Sequence, residues 1–171
     1  MQRPHTLAEV VRRELDGEDR GMALAEFLDT FYIALQREGH AAAQASLEEA
    51  PVPHADPVFH AYLGAVGEHL ALRWGLKVPH WTNDPSRFLR RPHFTAKGMQ
   101  GLMAVCIAES PTAFRRRLIF TEAEPLRRAR LPRDANGRAL EAREISPNGS
   151  LIKTHRTPKQ PTRTNSQGLI E

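Results

Sequence analysis

Cysteine is almost missing from this 171-residue chain: Cys106 stands alone, so neither an internal disulfide nor a multi-cysteine zinc site can form. Long apolar runs are missing too, and none could span a bilayer. The opening residues, MQRPHTLAEVV, lack the apolar stretch of a secretory signal. These absences lead us to expect a cytoplasmic protein with no membrane contact. The chain has no Gly-rich phosphate loop, no HExxH, no zinc-finger spacing and no RNP-type aromatic strand. No metal, cofactor or catalytic constellation is therefore expected.

What is present is ordinary for a globular domain: 40% hydrophobic and 26% charged residues. The net charge of +4 is unevenly spread. Residues 1–111 carry net −3 and residues 112–171 net +7, and 20 of the 24 cations are arginine. Such asymmetry fits an anionic partner for the second part. It fits equally a basic segment folded back onto the acidic part of the same chain.

The pattern reads as helix after helix. Thr6 and Glu9 form a capping box for a first helix ending near Leu15. Leu24, Phe27, Leu28, Phe31 and Leu35 share one face of a second helix, which Gly39 ends. HAAAQASLEEA predicts a third, with short side chains that permit close packing. Asp56 followed by Pro57 starts a helix carrying Phe59, Tyr62, Leu63, Val66 and Leu70, and Gly75 stops it. Asp84-Pro85 repeats the start signal for a short turn in an irregular stretch. Met99, Leu102, Met103, Cys106 and Ile107 predict an apolar helix face, with Cys106 a buried, inert thiol. Ser110-Pro111 opens a last short helix that can run into an extended segment at Leu118–Thr121. Gly64 and Gly67 on one helix, and Gly98 and Gly101 on another, suggest that those two helices touch each other or a partner. The expected fold is all-α: a compact bundle of about six helices over residues 5–132. Residues 133–171, rich in Pro, Thr and Ser, are expected to form a disordered basic tail, with GRALEAREI a weak helix within it.

The segment PTAFRRRLIFTEAEPLRRARLP, residues 111–132, concentrates six arginines among apolar side chains. On a continuous helix Phe114 and Leu118 claim the buried side, and Arg115 and Arg117 flank it. Rim arginines bury their stems and offer forked heads to carboxylates or phosphates. Phe114, Arg115, Arg116, Arg117, Phe120, Arg127, Arg128 and Arg130 are the candidate partner- or anion-binding residues. Pairing with carboxylates of the same chain is the competing reading. Arg127, Arg128 and Arg130 lie between two prolines and are expected to be exposed, where a nucleic-acid regulator would use them. Of the eight histidines, His80 and His93 sit in loops, and an enzyme reading would need them to converge with Asp84.

Three stretches, AYLGAVGEHLALRWGLKVPHWT, RFLRRPHF and ESPTAFRRRLIFTEAEPLRRA, resemble a group of small uncharacterised bacterial helical proteins. Some members of that group stand beside a nucleotidyltransferase-like gene in the manner of a toxin–antitoxin pair. The resemblance covers roughly residues 22–132, and Ser110 to Arg117 is its most specific part. It implies a protein partner, a nucleotidyltransferase-like toxin, and brings no catalytic residue with it.

Overall fold

The computed structural model of the chain describes residues 3–96, 100–133 and 138–140. Six α-helices dominate it: α1 (Leu7–Leu15), α2 (Arg20–Arg37), α3 (His40–Glu48), α4 (Pro57–Arg73), α5 (Gln100–Glu109) and α6 (Thr112–Arg115). Two 3₁₀ turns, His80–Asn83 and Pro85–Arg87, follow α4. Two-residue strands β1 (His93–Phe94) and β2 (Ile119–Phe120) pair in parallel, with His93 opposite Ile119. The all-α expectation therefore holds. Among the described residues, no helix is long and apolar enough to cross a membrane.

The caps at Thr6 and Asp56 are those the sequence advertises, and Asp19 adds one that its pattern did not single out. Thr6 Oγ accepts the Glu9 N–H, and the Glu9 carboxylate reaches back to the His5 N–H rather than to the cap's own. Asp19 caps α2, and Asp56 takes the Val58 and Phe59 N–H groups at the start of α4. Gly39 and Gly75 adopt φ of 86° and 64°, where a side chain is costly.

Helix α4 forms the axis of the core. Phe59, Leu63, Val66 and Leu70 are buried, as are Ala61, Ala65 and Ala71 around the other sides, so this helix meets protein on nearly every face. A chain of rings, Phe27, Phe31, Tyr32 and Trp74, ties α2 to its C-terminal end. The Tyr32 hydroxyl donates to the Leu126 carbonyl, which fastens the segment after β2. The fold continues past residue 132. Arg133 bridges Ala139, and Leu140 is buried with its N–H on the Pro132 carbonyl. The rest of the expected tail, and most of GRALEAREI, lie outside the described residues.

The glycines of α4 do not meet α5. A Cβ at Gly64 would lie 2.9 Å from Arg117 Nε, and one at Gly67 would lie 2.8 Å from the Trp81 ring. Gly101 on α5 faces open space, and Gly98 is outside the described residues.

Two predictions follow from this packing. Gly67→Ala should cost about 1–3 kcal/mol through overpacking, whereas Gly101→Ala should stabilise α5 by about 1 kcal/mol; paired denaturant melts check both signs. His69 is half-buried against Phe114, and this burial, aided by Arg73 and opposed by Glu124, pushes its imidazole down from 6.5 to about 4. The unfolded chain then binds a proton that the folded one refuses. Stability is complete above pH 6.5 and falls as pH drops toward 4, by at most roughly 3 kcal/mol. In His69→Gln this part of the acid limb should flatten, as read by denaturation midpoints across that range.

Candidate functional site

The arginine run folds inward. Helix α6 stops after Arg115, and Leu118 takes a left-handed φ of 58°, so the chain turns instead of continuing as helix. That turn aims Arg117 at the core, where it is fully buried. Its Nη1 donates to Glu68 Oε2 at 2.5 Å and to the Ala113 carbonyl at 2.7 Å, and Nη2 donates to the Thr82 carbonyl. Glu68, itself buried in the middle of α4, uses its other oxygen to accept from Arg116 Nη1 at 2.8 Å. The Phe88 ring lies 4.8 Å from the Arg117 guanidinium carbon and 5.2 Å from that of Arg116. Desolvation lowers the Arg117 pKa, and the Glu68 carboxylate opposes it. Gly64, one turn before Glu68, leaves the space that the guanidinium fills.

Phe114 is also fully buried, edge-on to Tyr62 at 5.3 Å and to His69 at 5.7 Å. Phe114 and Arg117 are therefore interior residues, which corrects their expected role at a contact surface. The wheel that put Arg117 at a rim assumed a helix running through Leu118. Arg116 remains partly exposed, but its head is held by Glu68 and Asn83. Phe120 is half-buried and stacks on Phe94 at 4.9 Å. Arg128, expected to be exposed, is half-buried and grips Asp29 through two nitrogens. Arg115, Arg127 and Arg130 stay exposed, and Arg115 donates to the Ser110 carbonyl.

The exposed apolar surface lies elsewhere. From Gly101 to Ala108, α5 reads GLMAVCIA without a polar or charged side chain. Cys106 is buried and Met103 half-buried, while Leu102, Val105 and Ile107 are 42%, 44% and 50% exposed. Gly101, Ala104 and Ala108 are exposed as well. Three of the seven large hydrophobic residues exposed among the described ones thus fall on one ten-residue helix. Scattered exposed leucines are ordinary, but a helix apolar on every side is one that normally sits inside. The Ser110 hydroxyl locks the C-terminal end of α5: it accepts the Thr121 N–H at 2.7 Å and lies 2.5 Å from the Cys106 carbonyl. Arg115 reaches the same corner.

A polar relay missed in the sequence links Asp84, Ser86 and His60. Ser86 Oγ donates to Asp84 Oδ1 at 2.6 Å, and His60 Nε2 lies 3.1 Å from Ser86 Oγ. His60 Nδ1 accepts the His54 N–H, which leaves the proton of the neutral ring on Nε2. Burial pushes the His60 pKa down and keeps the ring neutral. The serine proton is thus directed to the aspartate and the histidine donates to the serine, opposite to the polarity that activates a serine nucleophile. Asp84 also takes the Ser86 N–H as a cap, and neither His80 nor His93 is among its hydrogen-bond partners in the described structure. Among the described residues, no group of three His, Cys, Asp or Glu side chains is placed to hold a metal ion. The sequence signal for the relay was slight: Asp56-Pro57 and Asp84-Pro85 are read as caps, and nothing in their spacing places His60 against Ser86.

Comparison of the chain with protein-family models, with curated proteins and with solved structures finds no match.

Removing one partner of a buried ion pair strands the other. Glu68→Gln should therefore destabilise the fold by about 3–5 kcal/mol, and the same change in an Arg117→Met background should cost much less. Urea denaturation of the four proteins in the cycle measures the coupling. An equal cost in both backgrounds would mean that the pair does not act as a unit.

Proposed function

We propose that this chain is a non-catalytic interaction module that docks a protein partner on the exposed apolar face of α5. The carrying observation is the exposure of Leu102, Val105 and Ile107 on a helix with no charged side chain from Gly101 to Ala108. An apolar surface of this kind gains free energy only when something covers it, at roughly 25 cal/mol per Å² buried. Arg115, exposed and anchored to the residue that follows α5, supplies a cation at the edge of that surface. The resemblance to helical proteins encoded beside nucleotidyltransferase-like toxins directs the search to such a toxin. Its metal-binding carboxylates would meet Arg115 while α5 covers an apolar area beside them, so the module would act by occlusion.

A nucleic-acid regulator is a weaker reading of the same chain. Of the three arginines between the prolines, Arg128 is committed to Asp29, and Arg127 and Arg130 alone remain exposed.

The test is co-expression with the product of the neighbouring gene. The wild-type chain should co-purify with it and relieve its toxicity. Leu102→Glu with Val105→Glu should abolish both effects while shifting stability by no more than about 0.5 kcal/mol per site, as exposed positions do. Absence of a complex with the wild-type chain, or unchanged capture by the double variant, would overturn the reading.

A further inference from the structure

A second surface has the features of a binding site. A groove of about 530 Å³ runs between the start of α4 and the second 3₁₀ turn with the segment that follows it. Pro57 and Val58 contribute to its lining from α4, and Pro85 and Leu89 from the segment opposite; Arg90 and Arg91 also line it. Both arginines are exposed, and neither side chain makes a hydrogen bond, ion pair or ring contact with a described residue. No carboxylate lines the groove. The two acids next to its prolines in sequence are already committed. Asp56 holds Arg20 at 2.7 Å and caps α4, and Asp84 is bound to Ser86. The groove therefore combines an aliphatic lining with two uncompensated guanidinium groups, in a domain whose other arginines are largely tied down.

We infer that this groove binds an extended acidic segment of a protein partner. An aliphatic side chain would sit among Val58, Pro85 and Leu89, and flanking carboxylates would pair with Arg90 and Arg91. The arginine fork matches a carboxylate with two parallel hydrogen bonds. A nucleic-acid strand carries suitable charge but wants an aromatic face for its bases. Of the two rings in the lining, Phe88 already lies against the Arg116 and Arg117 guanidinium groups, which leaves the single imidazole of His93 for a run of bases, and proline and aliphatic side chains offer no stacking platform. The inference extends the interaction reading by naming the chemistry of a second contact, and it can be tested without α5.

The probe is a fluorescein-labelled peptide of alternating glutamate and leucine, titrated against the purified full chain by fluorescence anisotropy. Saturable binding that weakens as salt rises is expected. Arg90→Glu with Arg91→Glu should lower affinity by about tenfold or more, the loss expected for charge-assisted pairs. Arg127→Glu with Arg130→Glu makes the same change in net charge elsewhere and should leave affinity within about twofold. The Leu102→Glu, Val105→Glu protein should bind the peptide normally, so failure here and failure of the α5 reading are told apart. Thermal melts guard the comparison, and Arg90→Ala with Arg91→Ala replaces the reversal if that variant melts early. Non-saturable binding, equal loss in the two arginine pairs, or tighter binding of a thymidine oligonucleotide of matched charge would each overturn the assignment.

Discussion

The contact between Arg117 and Glu68 is the constraint around which this fold is arranged. Both residues are buried, so each would be a heavy liability without the other. Together with the Thr82 and Ala113 carbonyls, they join the central helix, the short α6 and the 3₁₀ turn after α4. Other features serve that contact. Gly64 makes room for the guanidinium, the turn at Leu118 aims it inward, and Arg116 occupies the second carboxylate oxygen. Arg87 has a similar role nearby, donating to the His60 and Pro51 carbonyls beneath the Trp81 ring. An irregular stretch with few apolar residues is thus held by arginines reaching backbone carbonyls, which would otherwise be buried without partners.

That use of arginine changes how the basic second half is read. Among its described residues, three cations are tied to carboxylates of the same chain: Arg117 and Arg116 to Glu68, and Arg128 to Asp29. The first half contributes ties of its own, Arg73 to Glu124 and Arg20 to Asp56. Part of the charge asymmetry therefore works within the molecule. Among the described residues, those that face outward include the apolar helix α5, the adjacent arginines 90 and 91, and Arg115, Arg127 and Arg130.

Much of the fold was legible because caps and stripes are local signals. Thr6, Asp56-Pro57 and Asp84-Pro85 start what they should start, and Gly39 and Gly75 end what they should end. The stripe of α2 faces the core as its spacing predicts. The site was far less legible. Three consecutive arginines look alike in a sequence, and only the left-handed turn at Leu118 decides that the third goes inside. Helical spacing showed that α5 is apolar but not whether the domain covers it. Leu102 and Ile107, expected on the same apolar face as Cys106, are exposed, while Cys106 is buried as expected. The Asp84–Ser86–His60 relay depends on contacts between residues far apart in the chain, which no periodicity reports.

The small parallel ladder has a consequence for how such a protein can change over time. Pairing His93 with Ile119 and Phe94 with Phe120 clasps the chain at two points, and α5 belongs to the excursion between them. The entropy cost of such an excursion grows only slowly with its length. Insertions or rewriting confined to α5 need not disturb the packing around α4, whereas α6 and Arg117, later in the same excursion, are fixed by it. Relatives of this chain could thus inherit one scaffold and exchange the recognition element, trading one binding specificity for another without redesigning what holds them together.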